Sequence, residues 1–133
     1  MRHPAVRFRV DFSPRGAVGP GKIALLEHIG SGGSLSQAAR ELGMSYRRAW
    51  QLLASLNSCF DERVVLSSKG GRGGGGARLT PFGRLLVRVY RDFEAELQRR
   101  AARSFAGIAP RAQVGAATRR RRTPAVRLSA RPR

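Results

Sequence analysis

The feature that most constrains the fold is the stretch from Ser34 to Phe60, punctuated as two short helices joined at one glycine. Ser34 followed three residues later by Gln37 forms a capping box, in which each side chain can satisfy the other residue's amide. The first helix, Leu35 to Leu42, closes on Gly43, which suits the left-handed C′ position. After Met44, Ser45 caps a second helix running to about Phe60. Small Ala39 lies where the two helices must nearly touch. Ala38, Leu42, Met44, Ala49 and Leu52 fill the apolar positions that fix the crossing angle. A plain helical hairpin has no need of all these at once. The pattern predicts a helix-turn-helix.

A wheel of 100° per residue divides the second helix into two faces. Ser45, Ala49, Leu52, Leu53, Leu56 and Phe60 share one side; Arg47, Gln51 and Ala54 share the other, flanked by Arg48 and Ser55. Long donors on the exposed side of such a helix suit a DNA major groove. Arginine can clamp guanine O6/N7 and glutamine can pair with adenine N6/N7. Arg47, Gln51 and Arg48 are therefore candidate base readers, with Ser45 and Tyr46 as candidate phosphate contacts. Trp50 falls at the edge of the apolar face, where it is expected to pack.

Alternation over residues 8–12 predicts a short strand, broken by Gly16, Gly19, Pro20 and Gly21. A helix follows from about Lys22 to Ile29, with Ile23, Leu26 and Ile29 on one stripe. Val64 to Leu66 and Ala77 to Leu79 read as paired strands around a glycine-rich loop, that is, a wing. Lys69, Arg72 and Arg78 could follow phosphates there or enter a minor groove, since glycine permits close approach. Gly71 to Gly76 also fits a nucleotide-binding G-x-G-x-x-G. That match is discounted: no strand-loop-helix unit surrounds it and no P-loop Lys-Ser/Thr follows. Thr80-Pro81 starts a last helix reaching about Ala102, whose long apolar stripe predicts a homodimer seam through Leu86, Val89, Tyr90, Phe93 and Leu97. The predicted fold is mainly α with a small β-wing, a winged helix-turn-helix over residues 1–102.

Residues 103–133 hold nine arginines and no acid, without sustained periodicity. They read as a disordered basic tail that adds sequence-independent phosphate contacts. Across the 133 residues the net charge is +18, which favours polyanionic partners. A nonspecific nucleoid-associated or RNA-binding protein is the alternative that this charge alone would suggest. One cysteine, two separated histidines and no catalytic constellation argue against a disulfide framework, a metal ion, a cofactor and an enzyme. No apolar run approaches a membrane span and no signal-peptide core opens the chain, so a cytoplasmic, nucleoid-associated protein is expected.

Gly19 to Glu27, Ser34-Leu-Ser-Gln-Ala-Ala39, Gly43-Met-Ser-Tyr-Arg-Arg-Ala-Trp50, the wing Gly70 to Ala77 and Leu79-Thr-Pro-Phe-Gly83 together resemble a known family. It is the N-terminal domain of bacterial ModE-type molybdate-dependent transcriptional regulators, related to LysR-type DNA-binding domains. The resemblance covers about residues 6–102. It implies that Ser45, Tyr46, Arg47 and Gln51 face the groove, that Lys69, Arg72 and Arg78 belong to the wing, and that the last helix helps form a homodimer. It also implies control of molybdate uptake or molybdenum-enzyme genes. Full-length members carry C-terminal oxyanion-binding β-barrels, for which the 31 residues after the last helix, nine of them arginine, supply no strands. The expectation is a regulator without those modules, served if at all by a separate sensor protein.

Overall fold

In the computed structural model, residues 4–14, 16–68 and 76–113 are described. The N-terminal strand β1 (Val10–Ser13) pairs antiparallel with β2 (Gly16–Val18), Val10 opposite Val18. The return strand was not expected from the sequence: Gly16 opens it instead of breaking the chain. A Cβ at Gly16 would lie 2.3 Å from the Cys59 sulfur, so the hairpin closes onto the chain only where a side chain is missing.

Helix α1 (Pro20–Gly32) is longer than its predicted core. Pro20, expected as a breaker, occupies the first turn, where its missing N–H is no loss. The helix runs through Gly30 and ends at Gly33, whose φ of 79° is the left-handed cap geometry, its N–H donating to the Ile29 carbonyl at 2.9 Å. Ile23, Leu25, Leu26 and Ile29 are all fully buried. This is more than one stripe, because α1 lies at the centre, touching α2 (Leu35–Glu41), α3 (Tyr46–Cys59) and the last helix.

Strands β3 (Val65–Ser68) and β4 (Gly76–Leu79) form the wing, with Val65 opposite Leu79 and Ser68 opposite Gly76. The Ala77 N–H donates to the Gly33 carbonyl at 2.9 Å, tying the wing's return strand to the α1–α2 junction. Both sides of the glycine loop are thus strands, a hairpin and not a strand-loop-helix phosphate cradle. Helix α4 (Pro81–Ser104) follows, with Thr80 Oγ1 accepting from the Gly83 amide at 2.9 Å. It extends two residues past its expected end, and Ala109–Arg111 add a 3₁₀ turn. The first part of the stretch read as a disordered tail therefore has regular structure; residues 114–133 lie outside the described residues. The result is a winged helix-turn-helix.

Candidate nucleic-acid interface

The geometry of α3 is set by the helix before it and by the turn that joins them. Ser34 Oγ accepts from the Gln37 amide at 3.0 Å, as the capping box requires. The reciprocal half differs: Gln37 Nε2 donates to Glu41 Oε2 at 3.0 Å, along the helix. Glu41 also pairs with His28 Nδ1 at 2.8 Å, pinning α2 to α1, and these two bonds hold its carboxyl below the usual carboxylate range. Gly43 takes φ 71°, and the Met44 N–H returns to the Ala39 carbonyl at 3.0 Å, so the chain reverses within a few residues. Ser45 Oγ then caps α3, accepting from the Arg48 amide at 3.0 Å.

Ala49, Leu53 and Leu56 turn into the core, while Leu42, Met44 and Leu52 pack at its margin. Arg47, Arg48, Gln51 and Ala54 are exposed, as the wheel predicts. Tyr46 is 57% exposed. Trp50 departs from expectation: it is 55% exposed and does not pack inward. No acidic residue lies anywhere along α3. Ser45 is exposed with one lone pair engaged by its cap, and a hydroxyl retains its proton for a further acceptor.

Asn57, which sequence reasoning passed over, holds the wing to α3. Its Oδ1 accepts from the Val64 amide at 2.8 Å, just before β3. An asparagine near a helix C-terminus carries no signal of such a contact in sequence. Lys22 is similarly engaged, its Nζ donating to the Ala17 carbonyl and to Ser55 Oγ at 2.8 and 2.9 Å. On the wing, Arg78 is exposed on β4 opposite Leu66. Lys69 and Arg72 lie outside the described residues.

The expected dimer stripe on α4 divides. Leu86 and Tyr90 are 9% and 4% exposed, enclosed by the chain's own core and not available to a second subunit. Phe8 stacks on Tyr90 with centroids 4.6 Å apart, and the Tyr90 hydroxyl donates to the Phe8 carbonyl at 2.9 Å. Burial pushes the Tyr90 phenol above its usual range. Val89 and Phe93 remain exposed beside Leu85, and Leu97 is half-buried. Among the described residues, no cluster of three or more His, Cys, Asp or Glu could hold a metal ion, and no helix is long and apolar enough to cross a membrane.

Two linked helices, the second with an exposed basic face, backed by a β-wing, define a DNA-binding class of protein. Residues 21–84 match the bacterial regulatory helix-turn-helix protein, lysR family. The chain is 42% identical over 82 residues to the DNA-binding transcriptional dual regulator ModE of Escherichia coli K12, a match covering 62% of this chain and 31% of that protein. It is 45% identical over 78 residues to the molybdenum-pterin-binding protein MopB of Rhodobacter capsulatus, covering 59% of this chain and 29% of that one. With the molybdenum transport protein ModE of Azotobacter vinelandii it shares 38% identity over 92 residues, covering 69% and 34%. The chain thus spans about a third of the length of the curated relatives it matches.

Proposed function

We propose that this protein is a transcriptional regulator that binds specific double-stranded DNA as a homodimer, controls genes connected with molybdenum, and catalyses no reaction. It acts at the nucleoid, in the cytoplasm. The observation carrying this reading is the exposed, acid-free face of α3, seated by Ala49, Leu53 and Leu56. In a major groove, Arg47, Gln51 and Arg48 meet base edges; Ser45 and Tyr46 meet the backbone at the groove's edge. Arg78 and the wing's Lys69 and Arg72 follow the neighbouring phosphates, and the arginines of residues 103–133 add contacts that ignore sequence.

Selection of bound sites from random DNA at about 150 mM salt should yield a palindrome with half-sites roughly 34–36 Å apart, or a multiple of that. Arg47→Ala should weaken the selected site by about ten- to hundredfold and leave random DNA nearly unaffected. Equal losses on both would remove Arg47 from base reading. The net charge of +18 favours a second reading, a nonspecific nucleic-acid binder. A ratio of specific to bulk affinity below about 10³ would favour it.

A further inference from the structure

The chain's one tryptophan is turned outward from the middle of α3. On the helical wheel it lies about 60° from Arg47 and about 40° from both Tyr46 and Ala54. Leu53 lies about 60° away on its other side, so the wheel alone does not allot it; its 55% exposure turns the indole to the solvent side with Arg47 and Ala54. Tyr46, one turn earlier and 57% exposed, makes the outward face aromatic as well as basic. Trp50 and Tyr46 together leave two large rings in water on one arc, an apolar patch and not a single scattered side chain, and both residue types are enriched among interface hot spots. Arg47 is exposed beside it on that arc and no acid interrupts the helix, so the face suits an anionic occupant. The face is continuous with the one assigned above to DNA.

We infer that Trp50 is a specificity residue whose indole covers the C5-methyl group of a thymine in the major groove. The inference rests on the proposed reading of DNA by α3 and adds to it a base and a mode of contact. Thymine's methyl is the apolar feature that the major groove presents, so a flat apolar ring distinguishes thymine there from the other bases. Trp50 is three residues beyond Arg47, about 4.5 Å along the helix axis. One base-pair step is about 3.4 Å. The thymine is thus at the pair next to the one Arg47 meets. A contact of this kind neutralises no phosphate, so it contributes affinity without salt dependence.

The test uses the full chain and the duplex selected from random DNA, with each thymine of a half-site replaced in turn by uracil. Wild type should lose about fourfold at one position, the worth of one methyl group. Trp50→Ala should bind the thymine duplex at least about tenfold more weakly, be indifferent to uracil at that position, and keep the wild-type slope of log affinity against log salt. Trp50→Phe should retain part of the discrimination. Alanine is a better helix former than tryptophan, so the melting temperature of Trp50→Ala should not fall. Wild-type affinity in Trp50→Ala, a variant that still senses the uracil, or a wild type blind to uracil everywhere would each overturn the assignment while leaving α3 as a DNA reader. A smaller sedimenting species for Trp50→Ala would instead place the indole between two copies of the chain. A wild type that fails to distinguish its selected site from random DNA would defeat the underlying reading, and this one with it.

Discussion

Gly83 bears a hydrogen where any other residue would place a carbon 2.2 Å from the Val64 carbonyl oxygen. That carbonyl cannot easily retreat, because it accepts from the Thr80 N–H at 3.0 Å. Thr80 itself is 9% exposed and does double duty: its hydroxyl donates to the Arg63 carbonyl at 2.7 Å while accepting from the Gly83 amide. The Thr-Pro start of α4 was legible as a cap; its welding to the wing was not, because residues 63 and 64 are far from 80 in sequence. Gly83→Ala gains about 1 kcal/mol of helix propensity. It also forces a Cβ into two backbone atoms of Val64, an overpacking that propensity does not offset. Urea unfolding should show a net loss of about 2–3 kcal/mol. Gly21→Ala, with nothing within 4 Å of the new carbon, serves as control and should be neutral or stabilising by up to about 1 kcal/mol. A Gly83→Ala protein as stable as wild type would contradict the close approach of α4 and the wing.

Between elements, the joint of α4 to the central helix depends on Arg91. Its Nε and Nη2 fork onto Glu27 at 2.8 and 2.6 Å, and Nη1 reaches Glu94 at 2.7 Å. The guanidinium hydrogen bond holds the Glu27 carboxyl below its ordinary 4.5, and the pair in turn holds Arg91 more firmly protonated. A depressed carboxylate pKa stabilises the fold above the unfolded value, and that stabilisation is lost as pH falls through the folded one. Both side chains are 38% exposed, so solvent screens the pair and about 1 kcal/mol is the scale. Glu27→Gln should therefore lower stability by about 1 kcal/mol at pH 7. The gap should close as the pH drops below 4.5, measured by urea unfolding at both ends. A gap independent of pH would mean that the carboxylate charge is not what holds the joint. The helices themselves were readable because caps and apolar periodicity are local. The β1–β2 hairpin was not: Gly16–Val18 is too short to show alternation, and what seats it is Cys59 at the far end of α3. Within the candidate site, the arc of Arg47 and Gln51 followed from the wheel. Trp50 was misplaced because an aromatic at the margin of an apolar face counts toward that face in sequence, whichever way it turns.

For the whole molecule, the apolar stripe of α4 poses one question of allocation: which residues complete this chain's core, and which are left for a second copy. Periodicity alone gives both sets the same signature. Phe8, distant in sequence, decides it by stacking on Tyr90 and meeting Phe93 edge-on at 5.3 Å. Leu86 and Tyr90 are enclosed, while Leu85, Val89 and Phe93 stay 41%, 54% and 44% exposed on one side of the helix. A protein of net charge +18 resists association with itself, so self-pairing needs an apolar seam to overcome the repulsion. The exposed remainder of the stripe is what this chain offers for it. The two positions Leu86 and Val89 separate the roles. Leu86→Asp places a charge in the chain's own core and should unfold it. Val89→Asp places one on a surface that is open in the single chain, so its melting curve should stay near wild type. In a seam between subunits, however, that carboxylate is desolvated without a partner. Sedimentation at micromolar concentration should then show a dimer for wild type and a monomer for Val89→Asp. The footprint on the selected palindrome should contract to one half-site, while binding to random DNA, which needs only charge, changes little. A wild type that sediments as a monomer, or a Val89→Asp protein that keeps the full footprint, would show that α4 closes the domain and joins nothing.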